Sequence, residues 1–230
     1  MAESLKDFQK RTKFIEDSLP RDGGFRTSAR LTEKVGMDGR FQPFFGDTVI
    51  FDLPEEDKAW LSGVQRRLYE ACGDMLAEAL DPASFHITLH DLNNGVRAED
   101  VAQAMTRAGE ASRALLAALP EDWSVRVRST MAFSMVNTSV VLGFEPVDEA
   151  DCEALMGLYE AFQQVVPLDY PLTPHVTLAY DRPADGGDDL LYHLRDALAE
   201  VNREMGSRVI RLTKPVYATF TDMNHYQADS

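Results

Sequence analysis

The sequence has few cysteines, a deficit of basic residues and no long hydrophobic run. Its two cysteines, Cys72 and Cys152, lie far apart without the spacing of a metal site. This excludes a disulfide scaffold and favours free thiols in a reducing compartment. No stretch approaches the roughly 20 apolar residues of a membrane-spanning helix, and the charged N-terminus lacks the apolar segment of a signal peptide. These absences predict a cytoplasmic protein with no membrane partner.

Acidic residues clearly outnumber basic ones. The 230 residues include 23 Lys and Arg against 38 Asp and Glu, which gives a formal net charge of −15. Such a surface repels polyanions, so we expect no long nucleic acid as a partner. A small phosphate ligand in a locally cationic cleft is compatible with this charge. The hydrophobic fraction of 44% is that of an ordinary globular domain.

The order of predicted elements suggests two similar lobes after an irregular start. Glycine and proline punctuate residues 1–46, which we interpret as an irregular N-terminal extension, and residues 47–230 as a single bilobal domain. Periodicity predicts strands at 48–53, 84–91, 124–136, 139–144, 173–180 and 208–221. Helices are predicted after the first strand, near 98–119, after the acidic residues that follow the strand at 139–144, and near 188–204. Strands and helices alternate in the same way in both halves, which favours an α+β fold.

One short phrase occurs once in each half. The first is His86-Ile-Thr88-Leu and the second, 89 residues later, is His175-Val-Thr177-Leu. Alternate side chains of a strand face opposite ways, so each histidine shares a face with its threonine while the apolar residues face the core. Two such strands side by side would line one cleft with two imidazoles and two hydroxyls.

These groups suit the cleavage of a phosphodiester. The reaction needs a base for the nucleophile, an acid for the leaving oxygen and donors for the phosphate. Histidine can serve in either proton-transfer role near neutral pH, and a threonine hydroxyl can donate to a non-bridging oxygen. The alternative is that both strands are half buried and merely turn His and Thr towards solvent. The paired occurrence, one phrase per half, favours the cleft.

His90 falls on the same predicted face as His86. It is a candidate substrate contact, although a groove-edge or solvent-facing position is the simpler interpretation. Zinc binding by these two histidines is disfavoured, because four residues along a strand separate them by roughly 13 Å. We therefore predict no metal and no other cofactor.

The paired phrases resemble the two-histidine (2H) phosphoesterase superfamily, which includes 2′-5′ RNA ligase-like proteins and cyclic phosphodiesterases. Further similarities are Phe51-Asp-Leu-Pro-Glu-Glu56 and Pro174-His-Val-Thr-Leu-Ala179, and the resemblance covers about residues 47–222. It implies a bilobal α+β fold in which two pseudo-symmetric antiparallel sheets with flanking helices surround a central groove. The motif strands would lie near residues 84–91 and 173–180.

The resemblance also implies roles for individual residues. His86 and His175 would be the acid–base pair, and Thr88 and Thr177 would bind the phosphate. A cation often follows the second motif in this superfamily, but here Tyr180 stands at that position. Tyr180 is a candidate substrate contact that would stack on a base, and the alternative is a place in the core. Compensating charge would have to come from elsewhere. The candidates are Arg126 and Arg128, neighbours on one strand face, and also Arg182 or Lys214, although a solvated surface charge is the simpler interpretation of each.

The sequence therefore predicts a metal-independent phosphodiesterase. Its substrate would be a 2′,3′-cyclic or 2′,5′-linked phosphodiester of a small nucleotide or short oligonucleotide. A non-catalytic nucleotide-binding module is the alternative, and 2′-5′ RNA ligation is a weaker one because the net charge opposes a long RNA. The sequence does not distinguish which histidine is the acid, and it makes no prediction of oligomeric state.

Overall fold

Two four-stranded antiparallel sheets form the framework of the protein. The computed structural model describes residues 3–21, 24–184 and 188–229. Its strands are β1 Phe45–Asp52, β2 His86–Gly95, β3 Ser124–Met135, β4 Ser139–Pro146, β5 His175–Tyr180, β6 Val209–Thr213, β7 Val216–Asp222 and β8 His225–Ala228. The first sheet has the order β2-β1-β7-β8 and the second has the order β5-β4-β3-β6. The predicted fold class, two antiparallel sheets in a bilobal α+β chain, is confirmed.

Helices flank both sheets and also connect the lobes. They are α1 Leu5–Arg11, α2 Glu55–Cys72, α3 Ala98–Ala117, α4 Glu149–Phe162 and α5 Asp188–Glu204. Helix α3 packs on the first sheet, whereas α4 and α5 pack on the second. Helix α2 buries Leu61, Val64 and Leu68 along one face and packs against α5 and β5, so it ties the first lobe to the second. Within the described residues, no helix has the length and apolar character needed to cross a membrane.

The C-terminal part of the chain differs from the sequence prediction. One strand was expected over residues 208–221, but β6 belongs to the second sheet and β7 to the first. Pro215 lies between them, and because proline has no N–H to donate, it favours an interruption of the strand here. The chain then adds β8, which was not predicted and pairs with β7. The first sheet is thus completed by residues far from β1 and β2 in sequence.

Strand β2 is longer than predicted. Asn93, Asn94 and Gly95 lie beyond the strand predicted at residues 84–91, but they pair with β1. The carboxylate of Asp47 accepts hydrogen bonds from the Asn93 backbone N–H at 2.8 Å and from its side-chain amide at 2.9 Å. These two bonds explain why turn-forming residues continue the strand.

The N-terminal segment is anchored in the hydrophobic core. Beyond α1 it consists mainly of turns and short 3₁₀ stretches at Thr12–Asp17 and Ala29–Glu33. Phe8, Leu31 and Val35 are nevertheless fully buried in the main core. Burial of a large apolar side chain contributes about 1.5–3 kcal/mol, so these contacts hold the segment against the lobes.

Candidate functional site

The two motif strands meet between the lobes. Strand β2 is the edge of the first sheet, β5 is the edge of the second, and the two strands contact each other. One cavity of about 610 Å³ lies at this junction and is lined by His86, Thr88, His175 and Thr177. The structure therefore brings the four motif side chains together. The volume falls in the range typical of small-molecule sites.

The motif strands share one irregularity as well as one sequence pattern. Pairing of β2 with β1 skips Leu89, and pairing of β5 with β4 skips Leu178, each directly after the motif threonine. An extra residue of this kind bends a strand and redirects the side chains that follow it. The equivalent bulge in both strands ends the alternation of faces at the same point of each motif.

Each motif histidine is held by the backbone directly before its strand. Nδ1 of His86 lies 2.7 Å from the carbonyl oxygen of Ser84, and Nδ1 of His175 lies 2.7 Å from that of Thr173. A carbonyl oxygen can only accept, so Nδ1 carries the proton in both rings. Nε2 of each ring has no hydrogen-bond partner among the described residues. This tautomer leaves the basic nitrogen of both neutral rings available to a ligand.

Burial lowers the pKa of both motif histidines. In each ring the bond to the carbonyl opposes this effect, and the negative charge of Asp91 also raises the pKa. The charge of His175 further lowers the pKa of His86, which places the two rings within electrostatic reach of each other. Since the desolvation effect is the largest, we expect both rings to be neutral near pH 7.

The prediction for His90 is wrong in its position. His90 was expected at the groove edge or facing solvent, but its side chain is only 1% exposed. The bulge at Leu89 is the reason, because it turns His90 inward and gives the exposed place to Asp91. The His90 ring packs on Tyr159, with centroids 5.2 Å apart, and contributes to the cavity wall.

Tyr180 and Asp91 occupy equivalent places in the two lobes, because each stands five residues after its motif histidine. Tyr180 is buried against the cavity, and its hydroxyl donates to the sulfur of Met223 at 3.0 Å. Asp91 also lines the cavity and accepts a hydrogen bond from the hydroxyl of Tyr170 at 2.8 Å. One lobe therefore presents a phenol to the cavity where the other presents a carboxylate.

Arg126 and Arg128 lie outside the cavity, contrary to their selection as candidate substrate contacts. Arg126 forms ion pairs with Asp148 and Asp151, and Arg128 lies 3.8 Å from Glu145. Strand β3 is an inner strand of the second sheet, separated from the motif strand by β4. Their shared strand face was visible in the sequence, but the order of strands was not.

The cations of the cavity come instead from the N-terminal segment. Arg30 and Lys34 line it together with Phe14 and Phe44. The sequence analysis missed all four, because they lie in a segment without periodicity whose position is fixed only by tertiary contacts. No local pattern near Arg30 or Lys34 indicates a ligand site.

The segment after α4 forms another wall that the sequence did not reveal. Tyr170 is 47% exposed at the cavity mouth, although its hydroxyl is bonded to Asp91. The backbone carbonyl of Tyr170 accepts a hydrogen bond from the hydroxyl of Tyr159, which in turn accepts one from Gln163. This network fixes the wall to both α4 and β2.

The β3–β4 turn places a strained residue at the mouth. Val136 has a φ of 46° and Asn137 a φ of 55°. The left-handed region is unfavourable for a β-branched residue, at a cost on the order of 1–3 kcal/mol. The turn is held from outside, because Ser28 donates its N–H to the Asn137 carbonyl and Asp181 donates to that of Thr138, both at 2.9 Å. Val136 lines the cavity and is 74% exposed.

The described residues contain no group of three or more His, Cys, Asp or Glu side chains placed to hold a metal ion. Among the described residues that line the cavity, Asp91 is the one carboxylate. The polar lining consists mainly of the two motif pairs, further hydroxyl groups and the two cations. This donor set suits an anion better than a metal cation.

Comparison with known proteins gives structural similarity only. No protein-family model and no curated protein matches the sequence. Among solved structures, a conserved protein of unknown function from Agrobacterium tumefaciens is 17% identical with a TM-score of 0.72, and the match covers 95% of this chain and 98% of that one. Since residues 1–46 are a fifth of the chain, this coverage includes most of the N-terminal segment. The two proteins share the bilobal fold.

Two more remote structures are similar over a smaller share of the chain. E. coli LigT in complex with 3′-AMP is 12% identical with a TM-score of 0.47, and covers 82% of this chain and 95% of its own. TT0787 of Thermus thermophilus is 20% identical with a TM-score of 0.46, with coverages of 80% and 94%. At these values the similarities carry no conclusion about chemistry, which has to be argued from the cavity itself.

Proposed function

We propose that this protein is a 2H phosphoesterase that hydrolyses a phosphodiester of a small nucleotide without a metal ion. The observation that carries the proposal is the matched pair of hydrogen bonds to the motif histidines. Each bond fixes one imidazole with Nδ1 protonated and Nε2 available, and both rings line one cavity. A single histidine of this kind would be unremarkable, whereas two can carry both proton transfers of one displacement.

The two histidines divide the reaction between them. One neutral Nε2 takes a proton from water as the water oxygen bonds to phosphorus. The bond from phosphorus to the leaving ribose oxygen breaks, and that oxygen receives the proton of the other, protonated Nε2. The product is a phosphomonoester, and proton exchange with solvent restores the starting pair. Each positioned transfer contributes about 10²–10⁴-fold to the rate.

The acid must be protonated although burial lowers the pKa of both rings. A phosphodiester anion beside the imidazoles favours the charged form and therefore raises the pKa of each. Protonation of one ring then disfavours protonation of the other, because like charges repel. Substrate binding thus promotes the singly protonated pair that the reaction needs.

Thr88 and Thr177 serve as the donors to the non-bridging oxygens. Each follows its histidine by two residues and shares its half-buried strand face, so hydroxyl and imidazole reach the same ligand from one wall. Two donors from opposite walls hold the phosphorus between the two Nε2 atoms. Such positioning lowers the entropic part of the barrier.

The apolar mouth supports a nucleotide as the substrate. The described part of the chain exposes seven large hydrophobic side chains, of which Phe14, Val136 and Tyr170 all line this cavity. Aromatic and apolar groups favour stacking on a base, which is worth about 1–3 kcal/mol per base. We therefore propose a 2′,3′-cyclic phosphate, or a 2′,5′-linked phosphodiester, of a mononucleotide or short oligonucleotide.

A substrate panel tests this proposal. The wild-type chain is incubated with 2′,3′-cyclic mononucleotides and 2′,5′- and 3′,5′-linked dinucleotides, with and without EDTA, and binding is measured in parallel by calorimetry. We expect hydrolysis to a monoester that EDTA does not reduce. Binding without turnover would support the nucleotide-binding module instead. Activity that EDTA abolishes and zinc restores would contradict the metal-independent mechanism.

A further inference from the structure

We propose that Lys34 of the N-terminal segment is the phosphate-binding cation of the cavity, an inference that rests on the proposed function for the identity of its ligand. A cation is missing where Tyr180 follows the second motif. Neither Arg126 nor Arg128 reaches the cavity. Lys34 does line it, together with both motif pairs.

The backbone around Lys34 is fixed. Its N–H donates to the carbonyl of Leu31 and its own carbonyl accepts from Gln42, both at 2.9 Å. Leu31 and Val35, on either side, are fully buried in the main core. The lysine therefore projects from a rigid base, so ordering it on a ligand costs little backbone entropy.

In the part of the chain that the structure describes, the Lys34 ammonium has aromatic neighbours but no anionic one. Nζ lies 5.0 Å from the centroid of the Phe44 ring and 5.9 Å from that of Tyr180. Its ammonium forms no ion pair with any described carboxylate, although the chain carries 38 acidic residues. Cation–π contacts contribute only about 0.5–2 kcal/mol. A half-buried ammonium without an anion is costly unless a ligand supplies one.

The aromatic cluster below Lys34 connects it with both motifs. Tyr180 continues β5 three residues beyond Thr177, and the charge of Lys34 partly offsets the effect of burial, which raises the pKa of Tyr180. Tyr226 packs on the ring of His86 with centroids 4.6 Å apart and interacts electrostatically with Tyr180. Lys34 thus stands over the ring that replaces the expected cation.

A phosphate bound in the cavity needs a compensating cation. Both motif histidines have lowered pKa values, the threonines are neutral, and Asp91 adds a negative charge. Arg30 is the other lining cation, but it is exposed at the surface and more strongly screened. Lys34 is therefore the charge best placed to compensate a bound phosphate.

The test measures the affinity of the full chain for inorganic phosphate by calorimetry, in parallel with KM for any hydrolysed substrate. Lys34→Met is compared with Lys34→Gln, with the charge-preserving Lys34→Arg, and with Lys13→Met as a control on an exposed lysine of the same segment. We expect both neutral variants to weaken phosphate binding by about 10- to 100-fold, as for a charged hydrogen bond. Lys34→Arg should stay within several-fold of wild type, and Lys13→Met should not change.

The outcomes separate this inference from the proposed function. If the wild type hydrolyses its substrate and both neutral variants keep wild-type phosphate affinity and KM, the role of Lys34 is overturned while the function stands. Another outcome is that the wild type hydrolyses no substrate while the neutral variants still lose phosphate binding. In that case the phosphate site with Lys34 stands and the proposed hydrolytic function is overturned. A fall in melting temperature with unchanged phosphate affinity would show a merely structural lysine and would also overturn the inference.

Discussion

The two lobes reach the same motif geometry by different routes through the chain. The second lobe takes β3 to β6 from the segment between residues 124 and 213, whereas the first combines β1 and β2 with β7 and β8 from the C-terminus. The lobes nevertheless agree in the motif strand, its antiparallel neighbour and the bulge after the threonine. The geometry that the two lobes share is therefore confined to the motif strand and its neighbour, and the proposed function rests on this shared part.

The lobes diverge directly after the bulge. Position five after the histidine is Asp91 in one lobe and Tyr180 in the other, and the next position is the buried apolar Leu92 or the buried Asp181. Substitutions of the matched histidines and threonines should therefore have equal effects in the two lobes. Substitutions at the two divergent positions after the bulge should have different effects.

The largest effect is expected at the histidines. His86→Ala and His175→Ala should each lower kcat by about 10²–10⁴-fold, because each removes one of two proton transfers. Both proteins should stay folded, since the hydrogen bonds of the rings go only to backbone carbonyls two residues before them. Turnover and melting temperature are measured for both. Wild-type activity in either variant would contradict a shared site.

Asp181 should make the stability of the protein depend on pH at a position where the first lobe carries the apolar Leu92. Burial raises its pKa to about 7. The unfolded carboxyl ionises near pH 4, so the unfolded state binds fewer protons and the free energy of unfolding falls as pH rises from about 4 to 7. Asp181→Asn should stabilise the protein by about a few kcal/mol at pH 8 and by nothing near pH 3.

The counterpart in the first lobe supplies the control. Leu92→Ala should destabilise the protein to the same extent at pH 3 and pH 8, because no titratable group is removed. Both variants are compared with wild type by denaturant unfolding at the two pH values. A stability gain from Asp181→Asn that does not depend on pH would contradict this account.

The threonines provide a closely matched pair. Thr88→Val and Thr177→Val keep the shape of the side chain and remove one donor to the phosphate. Each should lower kcat/KM by about tenfold, the effect of one hydrogen bond of roughly 1–1.5 kcal/mol. A loss confined to one variant would show that a single lobe binds the phosphate.

The smallest effect is expected in the pH profile of kcat/KM. The profile should be bell-shaped, with an acid limb set by the base and an alkaline limb set by the acid. Both limbs should lie below the ordinary histidine pKa of about 6.5, because burial lowers the pKa of both rings. Asp91 raises the pKa of both rings, so Asp91→Asn should move both limbs to lower pH. Asp52 raises only the pKa of His86, and Asp52→Asn should move one limb.

The limb that moves in Asp52→Asn identifies the role of His86 in the reaction. Movement of the acid limb would make it the base, and movement of the alkaline limb would make it the acid. If Asp91→Asn moves neither limb, the two histidines are not the groups that titrate in the reaction.

The sequence predicted the parts of this protein that depend on local pattern. Alternation placed His86 beside Thr88, and apolar periodicity predicted the helix at residues 188–204 that the structure contains as α5. The inward position of His90 was missed, because a bulge depends on the partner strand. The split of residues 208–221 between two sheets was missed for the same reason, since pairing is a tertiary property.

The cavity walls were the least predictable feature. Lys34 and Tyr170 belong to segments without periodicity and reach the site through the packing of the whole chain. The charge deficit after the second motif was visible in the sequence. The residue that compensates for it could not be predicted, because the sequence around a lysine does not indicate its neighbours in the folded protein.

The central claim is that one phosphate is held between two imidazoles from different lobes. A crystal soaked in inorganic phosphate tests it most directly. We predict one anion within hydrogen-bond distance of Nε2 of both His86 and His175, with the hydroxyls of Thr88 and Thr177 on its remaining oxygens. An anion bound to one ring alone, or bound elsewhere while both Nε2 atoms contact only solvent, would contradict the account.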